Sequence, residues 1–336
     1  MTEIMRAYIN ALLNHFRVLQ EWGERTQATM SLDIRTFEVE IRHRNRYYVM
    51  QPMFQARING QLTHQNELRG NVFGFGGWRP YRPLMHPMST HKLQFRSALR
   101  ERGMTVPRTH GAPDPAHSVP FDYLVKADVG SFGTSMLGPF RASRPASSDA
   151  LRPPSNSAVF VEEFIQGRPL KVWFWGGRPV FAQAHDYPTV TGDGQTSLDG
   201  LLRRRLRLLG QDWDHHPSRD VILTCLQYQG MGPASVLPAD AQAWIDYRFA
   251  QYHLPYIGTT PQTDDALSDL LATTGDQIGT MGAMLDELTR DAFPAPILLT
   301  ADGMLDPTGR IFWLEMNTNS IMPPEGYPVM LDDLFG

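Results

Sequence analysis

Near its C-terminal end the chain reads ADGMLDPTGRIFWLEMNTN, in which Asp302, Glu315 and Asn317 are spaced for a shared task. Residues 315 and 317 differ by two, so on an extended strand both side chains leave the same face. A turn at Asp306-Pro307-Thr308-Gly309 folds the preceding strand back and brings Asp302 alongside them. Two carboxylates and an amide oxygen make a hard, all-oxygen donor set, which suits Mg²⁺ when phosphate oxygens complete the shell. The bland alternative is a polar hairpin facing water. Trp313 and Leu314 require at least one buried side, however, and an inward carboxylate there needs a partner.

Three further segments carry groups suited to a nucleotide. In FDYLVKADVGSFGTSM a strand ends at Lys126 and runs into Gly130, Ser131, Phe132, Gly133, Thr134 and Ser135. Glycines let backbone N–H groups approach phosphate oxygens, hydroxyls add donors, and the lysine supplies a point charge. No Gly-Lys-Ser/Thr follows, so this is not a P-loop, and Gly74-Phe75-Gly76-Gly77 lacks the strand–turn–helix setting of a dinucleotide fingerprint. Lys92 opens the helical stretch HKLQFRSALRERG. In VFVEEFIQGRPLKVWFW a strand bearing Glu162 and Glu163 passes through Phe164 and Ile165 into a turn, where apolar side chains and strand-end backbone could sandwich an adenine. Adjacent glutamates point to opposite faces, so at most one of the two faces such a ligand.

The elements that must position these residues alternate between the two periodicities. Residues 1–23 read as an amphipathic helix of the fold rather than a signal peptide, followed by strands over 36–42 and 47–58. The Gly-, Pro- and aromatic-rich stretch 70–87 reads as an irregular connection, and 89–102 as a helix. Strands are expected over 123–126, 159–164, 169–175, 179–184, 297–305 and 310–315, with helices over 197–209 and 264–289 and a Pro/Ser-rich loop over 141–157. With 336 residues, 42% hydrophobic and 20% charged, the chain can bury a full core. Mixed strands and helices without repeats indicate an α+β (α/β) enzyme.

Composition also removes partners. A net charge of -4 spread along the chain makes no case for nucleic acid or an anionic membrane. The run Arg203-Arg204-Arg205 is interleaved with leucines and reads as the solvated face of a helix. A lone cysteine, Cys225 in the apolar run VILTCLQY, excludes an internal disulfide, suits the cytoplasm and reads as core. No apolar run approaches the ~20 residues that span a bilayer. The histidines lack the supporting ligands of a zinc site.

Taken in order, Lys92, Lys126 with its glycine-rich loop, the Glu-Glu-Phe-Ile stretch, and then Asp302, Glu315 and Asn317 resemble the ATP-grasp superfamily. DGMLDPTGRIFWLEMNTN is similar to the matching stretch of D-alanine–D-alanine ligases, and HDYPTVTGDGQTSLDGLL to the VTGDG loop of cyanophycin synthetases and glutathione-forming enzymes. The resemblance covers residues 89–320 and implies two α+β lobes gripping ATP, a small one over 89–160 and a large one over 161–336, preceded by an atypical N-terminal lobe over 1–88. It implies that Lys92 and Lys126 contact the α- and β-phosphates while residues 130–136 close over them. Glu162 or Glu163, with the backbone of Phe164 and Ile165, would hold adenine. Asp302, Glu315 and Asn317 would bind two Mg²⁺ ions, with Mn²⁺ a substitute. Arg248, in WIDYRFAQ, looks like the arginine placed near the transferred phosphate. The chain departs from the pattern at Pro169, where relatives have an acid for the ribose, at Thr300 in place of an arginine, and at Ser320-Ile321 in place of Pro-Gly.

The implied reaction is ATP-dependent: a carboxylate takes the γ-phosphate, and an amine attacks the acyl phosphate to form an amide or peptide bond. An amino acid or small peptide is the substrate class the resemblance suggests. Small-molecule acid and amine are the expected partners, a homodimer is compatible, and neither nucleic acid nor membrane is expected. The segments at 130–136 and 190–194 are candidate lids. The alternatives are a small-molecule kinase on the same scaffold and a non-catalytic nucleotide-binding protein; three inward polar ligands in register argue against the second.

Overall fold

The computed structural model describes residues 3–58, 61–111, 119–129, 136–143, 158–208, 210–249, 265–293 and 295–336. Helix α1 (Glu3–Thr26) buries Leu19 and Trp22 against a five-stranded antiparallel sheet of β1 (Thr29–Leu32), β2 (Val39–His43), β3 (Arg46–Ile58), β4 (Gln61–Gln65) and β5 (Val72–Arg79). The long β3 is its centre, pairing with β2 through its first residues and with β4 and β5 through the rest. The irregular connection expected over 70–87 is therefore in part a strand. Its glycines serve packing: a Cβ at Gly76 would come within 2.4 Å of Met53 Cε on the paired strand.

A short turn of helix, α2 (Pro87–Thr90), leads into α3 (Lys92–Glu101). A second antiparallel sheet, in the order β6-β9-β7-β8, is built from β6 (Thr109–His110), β7 (Tyr123–Ala127), β8 (Met136–Phe140) and β9 (Val159–Glu163). The chain continues through β10 (Arg168–Trp175) and β11 (Arg178–Ala184). A small unit follows, in which β12 (Thr189–Thr191) and β13 (Gln242–Trp244) pair beside α4 (Leu198–Leu208) and α5 (Arg219–Tyr228). The helix expected over 264–289 is two, α6 (Leu267–Thr274) and α7 (Gln277–Thr289), because Gly275 takes φ 61 between them. Strands β14 (Leu298–Leu305) and β15 (Ile311–Asn317) complete a third antiparallel sheet, ordered β11-β10-β14-β15, and α8 (Tyr327–Phe335) ends the chain. The architecture is α+β.

The third sheet is the hub. Alternation along β10 sends Val172 and Phe174 into a core with α3, α6 and α7, and Trp173 and Trp175 into a core with α1, the N-terminal sheet and α8. Only one end of the second face is so covered. The other end, bearing Lys171, faces a cavity of about 600 Å³ between this sheet, the second sheet and residues 247–249. Among the described residues no helix is long and apolar enough to cross a membrane.

Candidate functional site

Strand pairing assembles the charged row at the cavity floor. Lys171 lies opposite Asp302, which lies opposite Glu315, so three neighbouring strands place one ionisable side chain each on the same face. Lys171 Nζ is 2.6 Å from Asp302 Oδ1, and Asn317 Nδ2 donates to Asp302 Oδ2 at 3.4 Å. A register shift after Asp302 takes up Leu314, so that Asp302 still meets Glu315 directly. Burial pushes the Asp302 carboxyl up to about 6; Lys171 opposes the shift and the Glu315 charge adds to it. For Glu315 burial acts in the same direction, but Lys92, Lys171 and Lys126 outweigh it and hold the carboxyl below its usual range. The two facing carboxylates are thus pushed apart, Asp302 being the harder of the pair to ionise.

Helix α3 carries the next cations. Lys92 and Arg96 are four residues apart and share a face. Lys92 Nζ is 3.4 Å from Glu315 Oε2, while Arg96, fully buried, pairs with Glu162 and donates from Nε to Leu314 O at 3.0 Å. The start of α3 is capped from a distance: Asp128, two residues past Lys126, accepts from Leu93 N at 2.9 Å. Lys126 on β7 points inward to Glu162 at 2.6 Å. Burial drives the Lys126 ammonium down from its ordinary value, with Glu162 opposing and Arg96 assisting. Arg248 also lines the cavity, held by Asp246 through Nε–Oδ1 at 3.0 Å and Nη2–Oδ2 at 2.8 Å.

The structure thus brings Lys92, Lys126, Arg248, Asp302, Glu315 and Asn317 to one cavity, together with Glu162, Glu163, Phe164 and Ile165 on its wall. It gives the two glutamates different work from the adenine contact expected of one of them. Glu162 is 1% exposed and committed to Arg96 and Lys126, and Glu163 grips Arg108 at 2.6 Å. Phe164 N donates to Asp122 O at 2.7 Å, and among the described residues Ile165 makes no backbone–backbone hydrogen bond. Gly130, Ser131, Phe132 and Gly133 lie outside the described residues. The segment expected as a second lid, 190–194, is a packed turn: Asp193 accepts from Thr196 N at 2.6 Å, and Gly192 is pressed against Leu237 and Pro238.

Sequence reading missed Lys171, Arg96, Asp128 and Asp246. Arg96 had a local signal in its helical spacing from Lys92, and Asp246 in standing two residues before Arg248; Lys171 depends on which strands become neighbours, and Asp128 on where α3 starts relative to β7.

The donor set fits magnesium. Two carboxylates and one amide face the cavity beside cations that would receive phosphate, the hard-oxygen chemistry Mg²⁺ accepts. Among the described residues no group of three or more His, Cys, Asp or Glu that could hold a metal ion forms.

No protein-family model matches the chain, and no curated protein matches it. Among solved structures it is similar to a bifunctional glutathione synthetase from Pasteurella multocida, at 14% identity and a TM-score of 0.41 over 93% of this chain and 41% of that one. It is similar to D-alanine–D-alanine ligase from Bacillus anthracis, at 13% identity and a TM-score of 0.37 over 74% of this chain and 66% of that one. It is also similar to the ATP-grasp ligase PsnB, solved with its minimal precursor, at 14% identity and a TM-score of 0.34 over 73% and 60%. The chain therefore spans less than two thirds of the glutathione synthetase and of PsnB, and just under that share of the D-alanine–D-alanine ligase.

Proposed function

We propose that this protein is an ATP-grasp carboxylate–amine ligase that activates an acid as its acyl phosphate and joins it to an amine. The observation that carries the reading is the row Lys171–Asp302–Glu315, with Asn317 beside it, facing Lys92, Lys126 and Arg248 across one cavity. Lys92 and Lys126 hold the α- and β-phosphates, and Ile165 with the strand-end backbone reads the adenine edge. Asp302, Glu315 and Asn317 hold Mg²⁺, taken as two ions with Mn²⁺ a competent substitute. A metal held there would supply positive charge to offset that of the phosphates.

The acid's carboxylate oxygen attacks the γ-phosphorus as the bond to the β–γ bridging oxygen breaks, releasing ADP. Lys171 and Arg248 stand where they can follow the charge carried by the transferred group. The amine then attacks the acyl carbon and phosphate leaves with the C–O electron pair, while the amine's proton passes to solvent. Arg248 is held by Asp246 and by Ser218 Oγ at 2.8 Å, so its orientation is set before substrate arrives.

The experiment is ATP turnover with Mg²⁺ across pooled small acids and amines, following ADP and phosphate, with Glu315→Ala as control. Phosphate release that requires both an acid and an amine and is lost in the variant supports the ligase. ADP formation without free phosphate, with a stable phosphorylated acid, replaces it with a kinase. Nucleotide binding without turnover in any pool favours the non-catalytic protein.

A further inference from the structure

Every cation so far described at the site has an acidic partner: Lys92 has Glu315, Lys126 and Arg96 share Glu162, Lys171 has Asp302 and Arg248 has Asp246. Arg79, the last residue of β5, has none among the described residues. It is 2% exposed, Nη1 donates to Thr318 O at 3.4 Å, the Tyr81 hydroxyl lies within reach as a neutral partner, and Nε and Nη2 have no acceptor within normal hydrogen-bond distance. The oxygens whose fields reach it belong to Tyr81 and Tyr327, phenols that burial keeps neutral. A guanidinium remains charged at any physiological pH, so this is a buried positive charge without a counter-charge.

Arg79 does not itself line the cavity, but two of its neighbours do. Thr318 follows Asn317 and lines the cavity, and His64, whose imidazole feels the Arg79 charge, lines it from β4. Residues 318 and 319 are held firmly to Leu84: Leu84 O accepts from Thr318 Oγ1 at 2.9 Å and from Asn319 Nδ2 at 2.6 Å, and Leu84 N donates to Asn319 Oδ1 at 3.1 Å. This end of the cavity is walled by Gln55, Thr63, His64, Trp173, Ser320 and Ile321, and no acidic side chain is among them. Burial, with Arg79 adding to it, lowers the His64 imidazole to about 4, so the wall is neutral at pH 7. The neutral, part-apolar wall suits an uncharged organic body, and the charge behind it suits an anion.

We propose that the cavity end formed by β3, β4 and residues 318–321 is a carboxylate-binding site whose counter-charge is Arg79, and that it seats a small acid with an uncharged body. The site lies next to the metal-ligand residues, so within the ligase reading, on which this assignment of the substrate rests, it holds the acid to be activated. Arg79 acts on the carboxylate through the low-dielectric wall or by direct contact once Thr318 is displaced from Nη1.

The test is the thermal stability of the full chain with acetate or propionate against acetamide or propionamide, in wild type, Arg79→Met and Arg79→Lys. Both variants are first checked for a native circular dichroism spectrum. The acids should raise the wild-type midpoint more than the isosteric amides do. Arg79→Met should bind the acids at least tenfold more weakly, and Arg79→Lys should recover part of the difference. The same acid response in Arg79→Met as in wild type, or no preference for acid over amide in wild type, overturns the proposal. Should Arg79→Met not fold, the wild-type acid-over-amide comparison and Arg79→Lys decide alone. Midpoints with Mg²⁺ and a non-hydrolysable ATP analogue are read in parallel: no nucleotide shift in wild type counts against the ligase, while the acid comparison stands independently.

Discussion

Asp302 and Glu315 stand opposite each other on paired strands, so in the proposed ligase the protonation of Asp302 governs metal binding. Burial, opposed by Lys171 and reinforced by Glu315, raises the Asp302 carboxyl from its ordinary 3.8 to about 6. Because the folded value lies above the unfolded one, this group contributes stability only while protonated, and that contribution is lost as pH rises from about 4 to about 6. Mg²⁺ requires the carboxylate. Its affinity, followed by calorimetry, should be flat above pH 7 and fall about tenfold per pH unit once pH drops below 6, with release of a proton on binding. A pH-independent affinity between 5 and 7 would show that Asp302 is not a ligand. Glu162 is the other decisive residue, since Glu162→Gln leaves Arg96 and Lys126 buried without their acid. Breaking such a pair should lower stability by about 3–5 kcal/mol in urea titration. A loss below about 1 kcal/mol would mean that water reaches the cluster.

Among the elements, α3 and β7 must stay in register for Lys92 and Lys126 to serve one ligand. Asp128 makes that link, because it follows β7 and caps the start of α3. Asp128→Ala should cost about 1 kcal/mol of stability through the lost cap. Its larger effect should fall on nucleotide: the affinity for an ATP analogue with Mg²⁺ should drop several-fold, more than for a cap lying outside the site. Unchanged affinity with the expected stability loss would separate Asp128 from positioning of Lys92. The β10–β14 pairing is the second such link, since it sets Lys171 against Asp302.

Across the whole molecule, the N-terminal sheet and the site-bearing sheet share a core. Trp22, Trp78, Trp173, Trp175 and Phe335 belong to a single buried cluster, and Trp22 Nε1 donates to Asp332 on α8 at 2.7 Å. The face of β10 that carries Lys171 at one end is therefore covered by the N-terminal elements at the other. Trp78 is fully buried, and Trp78→Ala should cost about 3–5 kcal/mol. Nucleotide binding should be lost over the same temperature range as the helical signal, in one transition. Binding that outlasts unfolding of the N-terminal sheet would instead show two independent units.

What the sequence determined by itself was local. The spacing of Glu315 and Asn317, the turn at 306–309 and the placement of Asp302 before it follow from the two-residue period of a strand, whereas the direct pairing of Asp302 with Glu315 depends on the register shift that takes up Leu314. Lys92 at a helix start, Lys126 at a strand end and Cys225 within an apolar run were legible for the same reason, because each property belongs to a single segment. What only the tertiary structure decided was every pairing between distant segments. Lys171 reads as an ordinary strand lysine until β10 is laid beside β14, and Glu162 as a hinge acid until α3 delivers Arg96 to it. β5 reads as a loop until its glycines are seen to make room for β3, and Arg79 as a surface charge until the N-terminal sheet closes over it. Strand neighbours and buried charge pairs are chosen by the global arrangement that buries the most apolar surface with each polar group partnered, and no periodicity within one segment records that choice.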